Sequence, residues 1–398
     1  MNKLLTITER NNVLTTMAEL IRQEKEAIIK ENKKDLEAYD GGDLAMEDRL
    51  KVDEEKIQVM VTALNELTAK EDPLGKERFH FQHENGMHVY NKTAPFGTVM
   101  IIYESRPDVT VEAAGIAFKS GNKIVLKGGK ESINSNLKIV ELWERALQKH
   151  GITEQWVEYL KFDRKQTQAF LENPTQPIDL IVPRGGERLI EFVKQNASCP
   201  VIVSGRGNNF VYVHKDADLD LALKVIVNAK TAKISACNAL DKVLIDQNLS
   251  NYDDFVKRLL ERLSEFNVEV FVDKELSDFD GVKTITDQDI WYQEFLDYKI
   301  VIGLVDSVEE AISKINKYSG GHSSSVITKD QQTADQFMNT VDTAAVYHNA
   351  STRFTDGGQL GLGGELAIST DKLHQRGPIG LEHLVTNKWY IHGNGQIR

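Results

Sequence analysis

Residues 97–132 read GTVMIIYESRPDVTVEAAGIAFKSGNKIVLKGGKES, and this stretch decides the fold class. The apolar runs TVMIIY and KIVLK predict two buried strands, and the alanine-rich segment between them predicts a helix. Strands that alternate with helices indicate a parallel, doubly wound sheet. We therefore predict an α/β protein.

The same alternation continues to about residue 350 and predicts two doubly wound parallel-sheet domains. Strand candidates in the first domain are WVEYL, DLIVP, PVIVS and FVYVH, and those in the second are VLID, VEVFV, KTIT, YKIVIGLV, SSSVIT and AAVYHN. A length of 398 residues also favours two domains over one.

The segment before this alternation is predicted to hold helices and one hairpin. Apolar residues recur at helical spacing, namely Leu14, Met17, Ile21 and Ile28. Further along, Asn85-Gly86 separates two alternating segments in RFHFQHENGMHVYNKTA, residues 78–94, which predicts a β-hairpin. Because a two-stranded ribbon is rarely stable alone, we expect this hairpin to pair with another element.

Composition and net charge indicate which partners and which cell compartment are expected. A formal net charge of −12 disfavours nucleic acid and anionic membranes. No apolar run approaches the roughly 20 residues needed to span a bilayer, and MNKLLTITERNNVL is too polar for a signal peptide. With only two cysteines there is no disulfide framework. These features predict a cytoplasmic protein.

Cys237 is the candidate nucleophile. It lies in NAKTAKISACNALDKVLI, residues 228–245, and is followed at once by Asn238. A thiol beside a possible donor array suggests acyl chemistry. The alternative is a small buried hydrophobic residue, since cysteine is often simply core.

Three glycine-rich turns are candidate sites for a phosphate-bearing ligand. The residues are Lys127, Gly128, Gly129 and Lys130 in the first, Arg184, Gly185 and Gly186 in the second, and Gly205 in the third. The first follows a predicted strand, where open α/β sheets bind ligands, and the second opens a predicted helix, whose amides attract anions. None is the GxGxxG fingerprint, and each is alternatively a surface turn.

The loop NASTRFTDGGQLGLGGE, residues 349–365, concentrates hydroxyl groups, one arginine, one aspartate and several glycines. Such loops bind small polar ligands, although a mobile surface loop is the alternative. The histidines, among them His322 and His348, lack metal-ligand spacing, so we interpret them as structural and predict no metal site.

Taken together, these segments resemble the gamma-glutamyl phosphate reductase family of the aldehyde dehydrogenase superfamily. The resemblance runs from about Pro95 to the C-terminus, and its most specific pieces are IIYESRPDVTVEAA, KSGNKIVLKGGKES, IVPRGG, NAKT with CNAL, GGHSSSVIT, NASTRFTDGG and KLHQRGPIGLEHL. It implies NADPH-dependent reduction of L-glutamyl 5-phosphate to L-glutamate 5-semialdehyde and phosphate, the second step of proline biosynthesis. It also implies NADP(H) as cofactor, a homodimer or higher homo-oligomer, and an upstream glutamate 5-kinase as a candidate partner.

The resemblance also suggests roles for individual residues. Cys237 matches the family nucleophile, whose thioester the hydride reduces, and the backbone amide near Cys237–Asn238 is one oxyanion donor. Ser105 stands where the superfamily has an asparagine as the second donor. Arg353 and Asp356 are predicted to pair with the amino-acid end of the substrate, and Arg106 to face either end, with surface salt bridges as the alternative.

Two departures from ordinary aldehyde dehydrogenases carry functional information. Where those enzymes carry a glutamate that activates water, this chain has Val203-Ser204-Gly205-Arg206-Gly207, so hydrolysis of the thioester should be slow. Where NAD-preferring members carry a glutamate for the ribose, this chain has Lys130, and a cation there favours the 2′-phosphate of NADPH.

By resemblance, residues 1–75 and 95–230 form the NADP(H)-binding domain, residues 231–366 the catalytic domain, and residues 76–94 and 383–398 a small β oligomerisation element. Two alternatives stay open at the level of sequence. One is another aldehyde dehydrogenase relative, such as a CoA-acylating enzyme, and the other is a scaffold that senses cofactor without turnover.

Overall fold

The predicted N-terminal helices form around their apolar stripes. In this computed structural model, which describes residues 4–42 and 44–398 but not the side chains of residues 44 and 45, these helices are α1 (Ile7–Gln23), α2 (Lys25–Ala38), α3 (Leu44–Leu50) and α4 (Glu54–Ala69). Leu14, Met17, Ile21 and Ile28 are fully buried, as their spacing predicts. Residues 1–3 and 43 of the predicted cofactor domain lie outside the described residues.

The predicted hairpin forms from β1 (Glu77–Gln82) and β2 (His88–Pro95). The two strands pair antiparallel, with Phe81 opposite Val89 and Gln82 opposite His88. Gly86 at the turn has a φ of 89°, a left-handed conformation that glycine adopts without steric cost.

The described chain divides into two compact units, and the first consists of Met1–Val203, Gly361–Ala367 and Ile379–Arg398. Its parallel sheet and the flanking helices comprise β3 (Thr98–Tyr103), α5 (Val109–Lys119), β4 (Lys123–Lys127), α6 (Ile133–Lys149), β5 (Val157–Tyr159), α7 (Arg164–Glu172), β6 (Leu180–Arg184) and α8 (Glu187–Asn196). The strand order is β5-β4-β3-β6, and every pairing is parallel.

Strand β3 is buried on both faces, which explains its unbroken apolar sequence. Val99 and Ile101 belong to one core cluster, whereas Met100 and Ile102 belong to another. The order of strands reverses between β3 and β6, so the carboxyl ends of these two strands form a topological switch point. The first unit therefore has the architecture that places ligands at the turns after β3 and β6.

The second unit consists of Ser204–Leu360 and Ile368–Pro378. Its elements are β7 (Asn209–Val213), α9 (Leu219–Thr231), β8 (Leu240–Asp246), α10 (Tyr252–Ser264), β9 (Glu269–Val272), β10 (Val282–Thr284), β11 (Lys299–Val305), α11 (Val308–Tyr318), β12 (Ser323–Ile327), α12 (Gln331–Thr340) and β13 (Ala345–His348). The strand order is β10-β9-β11-β8-β7-β12-β13, and the pairings are parallel. The prediction of two parallel sheets is thereby confirmed, but FVYVH, predicted as a strand of the first domain, forms β7 of the second sheet because it pairs with β8 and β12.

Three strands follow, namely β14 (Ala367–Ser369), β15 (Gly377–Ile379) and β16 (Val385–His392). Strand β16 pairs antiparallel with β2 along its whole length and completes a sheet of order β1-β2-β16. The element that stabilises the hairpin is thus the last strand of the same chain. No helix in the described part of the chain is long and apolar enough to cross a membrane.

The prediction of a strand at PVIVS, residues 200–204, is wrong. Val201 makes only an isolated bridge to Ile181, and the segment that follows it is irregular. Pro200 has no N–H to donate to a sheet, and Gly205 and Gly207 break up the run that follows. The apolar residues of this segment reflect burial, and its strand pairing is limited to that bridge.

Candidate active site

Cys237 lies in the loop that joins α9 to β8, and a buried ion pair closes the base of this loop. The Nζ of Lys230, in the last turn of α9, lies 2.9 Å from the Oδ1 of Asp241 at the start of β8, and the two side chains are 0% and 2% exposed. The backbone N–H of Phe295 donates to the other carboxylate oxygen over 2.9 Å. Burial lowers the pKa of Lys230, and the Asp241 carboxylate opposes that change. Both ends of the loop are therefore held in place.

Asn209 and Gly207 contact the backbone of Cys237 and hold it in position. The Asn209 side-chain amide donates to the carbonyl oxygens of Gly207, Cys237 and Ala239, at 2.7, 2.8 and 2.6 Å. A Cβ on Gly207 would lie 1.9 Å from the Cys237 carbonyl oxygen, so the two segments approach as closely as they do only because this residue is glycine. Both cysteines of the chain are reduced.

Asn238 ties the cysteine loop to the predicted ligand loop at residues 349–365. Its side-chain amide donates to the carbonyl oxygens of Arg353 and Thr355, at 3.2 and 2.9 Å. The Thr352 hydroxyl donates back to the Asn238 carbonyl oxygen over 2.8 Å. The structure thus brings three predicted site residues together, Cys237, Asn238 and Arg353, and shows that the Asn238 side chain joins the two loops.

The Arg353 guanidinium interacts electrostatically with Cys237 and with Asp356. Burial lowers the pKa of Arg353, and both neighbours oppose this change. Its Nε and Nη1 atoms are buried and have no hydrogen-bond partner among the described residues. The Oδ1 of Asp356 accepts hydrogen bonds from the backbone of Gly358 and Gln359, at 2.9 and 3.2 Å, so this carboxylate shapes its own loop.

In the first unit, the turn after β4 places two lysines at the carboxyl end of the sheet. The Nζ of Lys127 donates to the Gly128 carbonyl oxygen over 2.9 Å, and burial lowers the pKa of this lysine. Lys130 is exposed. A Cβ on Gly128 would lie 2.4 Å from the Asn136 side chain and 2.9 Å from the Tyr159 hydroxyl, so packing alone requires glycine there.

Ser105, the predicted second oxyanion donor, is buried in the turn after β3. Its hydroxyl donates to the Glu131 carboxylate over 2.9 Å. A Cβ on Gly129 would lie 2.8 Å from the Ser105 hydroxyl and 2.8 Å from that same carboxylate. Ser105 belongs to the first unit and Cys237 to the second, and the role of Ser105 stays a prediction.

The turn after β6 binds a negative charge that the chain itself supplies. The backbone N–H of Gly186 donates to the Glu104 carboxylate over 3.0 Å, and a Cβ on Gly185 would lie 2.6 Å from the same side chain. This carboxylate therefore takes the position at the N-terminus of α8 that the sequence suggests for a ligand anion. The predicted role of Arg184, Gly185 and Gly186 stays a prediction that requires Glu104 to move.

Two further predicted site residues, Arg106 and Gly205, have protein contacts of their own. Arg106 forms an ion pair with Asp108 over 2.6 Å. A Cβ on Gly205 would lie 2.4 Å from the Thr370 hydroxyl, so Gly205 is packed against Thr370. His322 is fully buried, and burial lowers its pKa to about 4. Among the described residues, no group of three or more His, Cys, Asp or Glu is arranged to hold a metal ion.

Sequence reasoning missed several residues that organise the cysteine loop of the second unit, namely Lys230, Asp241, Gly207 and Asn209, and two carboxylates at the turns of the first unit, Glu104 and Glu131. Asn209 and Gly207 lie within the turn SGRGNN, which the sequence did single out, although as a weak ligand site. No local sequence pattern indicates the ion pair. Lys230 and Asp241 come together only through the packing of α9 against β8.

Comparison with known proteins places these features in a family. The chain matches the model of the aldehyde dehydrogenase family over residues 2–277 and 285–389. It is 42% identical over 396 residues to the gamma-glutamyl phosphate reductase of Clostridium botulinum, a match that covers 99% of this chain and 95% of that relative. The corresponding protein of Lachnospira eligens is 43% identical, with the same coverage.

Solved structures show the same likeness. The gamma-glutamyl phosphate reductase of Thermotoga maritima superposes with a TM-score of 0.94 at 38% identity, over 99% of this chain and 95% of that one. An acetylating aldehyde dehydrogenase from Geobacillus thermoglucosidasius shares the fold, with a TM-score of 0.70 at 16% identity over 99% of this chain and 93% of that one.

Proposed function

The chain belongs to the aldehyde dehydrogenase family and, within it, to the gamma-glutamyl phosphate reductases, and we propose that it reduces L-glutamyl 5-phosphate with NADPH through a thioester on Cys237. The products are L-glutamate 5-semialdehyde and phosphate, as in the second step of proline biosynthesis from glutamate. The observation that carries the proposal is a reduced thiol, held in a braced loop beside a guanidinium group, in a chain that matches these reductases over nearly its full length.

The chemistry divides into two steps at one carbon atom. The Cys237 sulfur attacks the acyl carbon, a C–S bond forms, and the C–O bond to phosphate breaks with its electron pair leaving on the phosphate. Bound NADPH supplies the hydride that reduces the thioester. The resulting thiohemiacetal then releases aldehyde as the C–S bond breaks and the thiol is regenerated. The Lys230–Asp241 pair and Asn209 keep the loop in place during both steps.

The residues of the first unit fit a phosphorylated nicotinamide cofactor. Lys127 and Lys130 provide ammonium groups at the carboxyl end of β4, and Lys130 is exposed to meet a 2′-phosphate. The Glu104 carboxylate at Gly186 must withdraw before that turn can accept a pyrophosphate. We therefore assign the 2′-phosphate to Lys130.

Slow hydrolysis of the thioester follows from the segment Val203–Gly207, which has no carboxylate to activate water. Phosphate is then the group that exchanges with the thiol, which makes the reverse reaction dependent on phosphate. The substrate is an acyl phosphate, so a kinase acting on the side-chain carboxylate of glutamate must supply it. The few cysteines and the acidic composition fit a cytoplasmic enzyme.

One assay with two arms tests the proposal. We expect oxidation of glutamate semialdehyde with NADP to depend on added phosphate, and no CoA-dependent reduction of NAD with simple aldehydes. The opposite pattern would identify a CoA-acylating aldehyde dehydrogenase, and no turnover in either arm would favour a non-catalytic cofactor-binding protein.

A matched pair of cysteine variants tests the mechanism. Cys237→Ser should abolish reduction while the protein still binds NADPH, as measured by fluorescence titration, because serine lacks a thiolate of comparable nucleophilicity. Cys199→Ala is the control and should retain activity, since Cys199 packs against an apolar cluster of the first unit. Turnover by the Cys237→Ser variant would contradict the covalent mechanism.

A further inference from the structure

Arg353 carries hydrogen-bond donors that the described protein leaves unused. Its Nε and Nη1 atoms are buried, and neither has a partner among the described residues. A buried polar group without a partner is costly, and more so when it belongs to a cation. Ordered water or a ligand completes such groups in native structures, and for a cation on the loop tied to the cysteine loop these donors point to a bound anion.

Hydrogen bonds hold the backbone that carries these donors against the cysteine loop. The Asn238 side chain donates to the Arg353 carbonyl oxygen over 3.2 Å, and Thr352 donates to the Asn238 carbonyl oxygen over 2.8 Å. Arg353 is therefore tied through its backbone to the neighbour of Cys237. Cys237 and Asp356 both oppose the lowering of the Arg353 pKa that burial causes.

The chemistry of the substrate decides which anion belongs beside the sulfur. In an acyl phosphate the phosphate is bonded to the carbon atom that sulfur attacks, whereas the α-carboxylate of glutamate lies at the far end of the five-carbon chain. A cation on the loop that is tied to the neighbour of Cys237 is thus placed to face the phosphate. Guanidinium N–H groups are charge-assisted donors to phosphate oxygens, and a buried phosphate dianion in turn needs such a partner.

We propose that Arg353 binds the phosphate leaving group of the substrate, instead of its amino-acid end, and stabilises the Cys237 thiolate when phosphate is absent. This inference rests on the proposed function and names the residue that receives the leaving group. As the C–O bond breaks, the electron pair moves onto the phosphate oxygen, and the guanidinium neutralises the charge that develops there. The same charge favours the thiolate before the substrate arrives.

The reverse reaction separates the two ends of the substrate, because phosphate and the semialdehyde are varied independently. With NADP saturating, Arg353→Gln should raise the KM for phosphate about 10- to 100-fold, which corresponds to loss of a charge-assisted hydrogen bond, and leave the KM for the semialdehyde within about twofold. Arg262→Gln, an exposed arginine of α10, is the control and should change neither constant. A raised KM for the semialdehyde with an unchanged KM for phosphate overturns the inference.

A second measurement needs no turnover and therefore stands even if the proposed reaction is wrong. In a Cys199→Ala background, the rate of iodoacetamide alkylation at Cys237 is followed against pH, with thermal unfolding as a check on folding. Arg353→Gln should move the midpoint of this profile to higher pH, and Arg353→Lys should restore it in part while the KM for phosphate stays high. Added inorganic phosphate should shift the midpoint of the parent protein upward but not that of Arg353→Gln. An unchanged midpoint in Arg353→Gln overturns the pairing of Arg353 with the thiolate.

Discussion

In the turns of the first unit, some residues are explained by packing, whereas others remain available to a ligand. Gly128 is glycine because Asn136 and Tyr159 leave no room for a Cβ, whereas Lys130 is exposed and has its charge available for a ligand. Ser105 is engaged by the neighbouring Glu131, so the carboxylate next to Lys130 in sequence is directed toward the turn after β3. At the residue scale, the proposed preference for NADPH therefore rests on Lys130.

Lys130→Glu should shift the preference from NADPH toward NADH. The substitution replaces attraction to the 2′-phosphate by repulsion, and the ratio of kcat/KM for the two cofactors should fall by about 10- to 100-fold. Steady-state kinetics with each cofactor measures this ratio. Lys149→Glu, at the end of α6, is the control. An unchanged ratio in Lys130→Glu would place the 2′-phosphate elsewhere.

The element that matters most for the proposed chemistry is the loop between α9 and β8. Its two ends are joined by the buried Lys230–Asp241 pair. In its middle, Asn209 donates to the Cys237 carbonyl oxygen, and Asn238 donates to the loop at residues 349–365. A buried pair is expensive to break, because removing one partner leaves the other charged and desolvated. The loop is therefore braced more firmly than its irregular backbone suggests.

Lys230→Met should destabilise the fold by about 3–5 kcal/mol, since it leaves the Asp241 carboxylate buried and unpaired. Chemical denaturation measures the change, and the double variant Lys230→Met with Asp241→Leu should recover most of it. The control is Arg258→Met, which breaks the exposed pair between Arg258 and Asp220 and should cost less than about 1 kcal/mol. A similarly small cost for Lys230→Met would show that the pair does not brace the loop.

At the scale of the whole molecule, the sheet β1-β2-β16 exposes an apolar face. Register places Phe79 and Trp389 on either side of Asn91, and Phe81 and Ile391 on either side of Val89. The four outer side chains of this face are between 46% and 55% exposed. An exposed apolar face on a small sheet marks an interaction surface, and we predict that a second copy of the chain covers it.

Trp389→Glu should therefore convert a homo-oligomer into a species of lower mass, because a buried charge would oppose association. Light scattering coupled to size exclusion measures the mass. Lys388→Glu changes the adjacent residue, which points to the opposite face, and should leave the mass unchanged. A monomeric parent protein, or equal masses for the parent and Trp389→Glu, would contradict the prediction.

Much of the architecture followed from patterns that are local in sequence. The alternation of apolar strands with helices predicted both parallel sheets, and Asn85-Gly86 predicted the hairpin. Motif strings such as NASTRFTDGG and CNAL indicated the family before any geometry was known. These features are readable because backbone hydrogen bonding and side-chain periodicity operate over a few residues.

Other features depended on contacts between residues distant in sequence, and only the tertiary structure decided them. The carboxylate that occupies the amide of Gly186 comes from Glu104, and the amide that holds the Cys237 carbonyl comes from Asn209. Whether PVIVS forms a strand depended on its neighbours in the sheet, and its composition did not reveal them. Hydrogen-bond partners and burial are set by packing, and packing brings together residues that no local pattern relates.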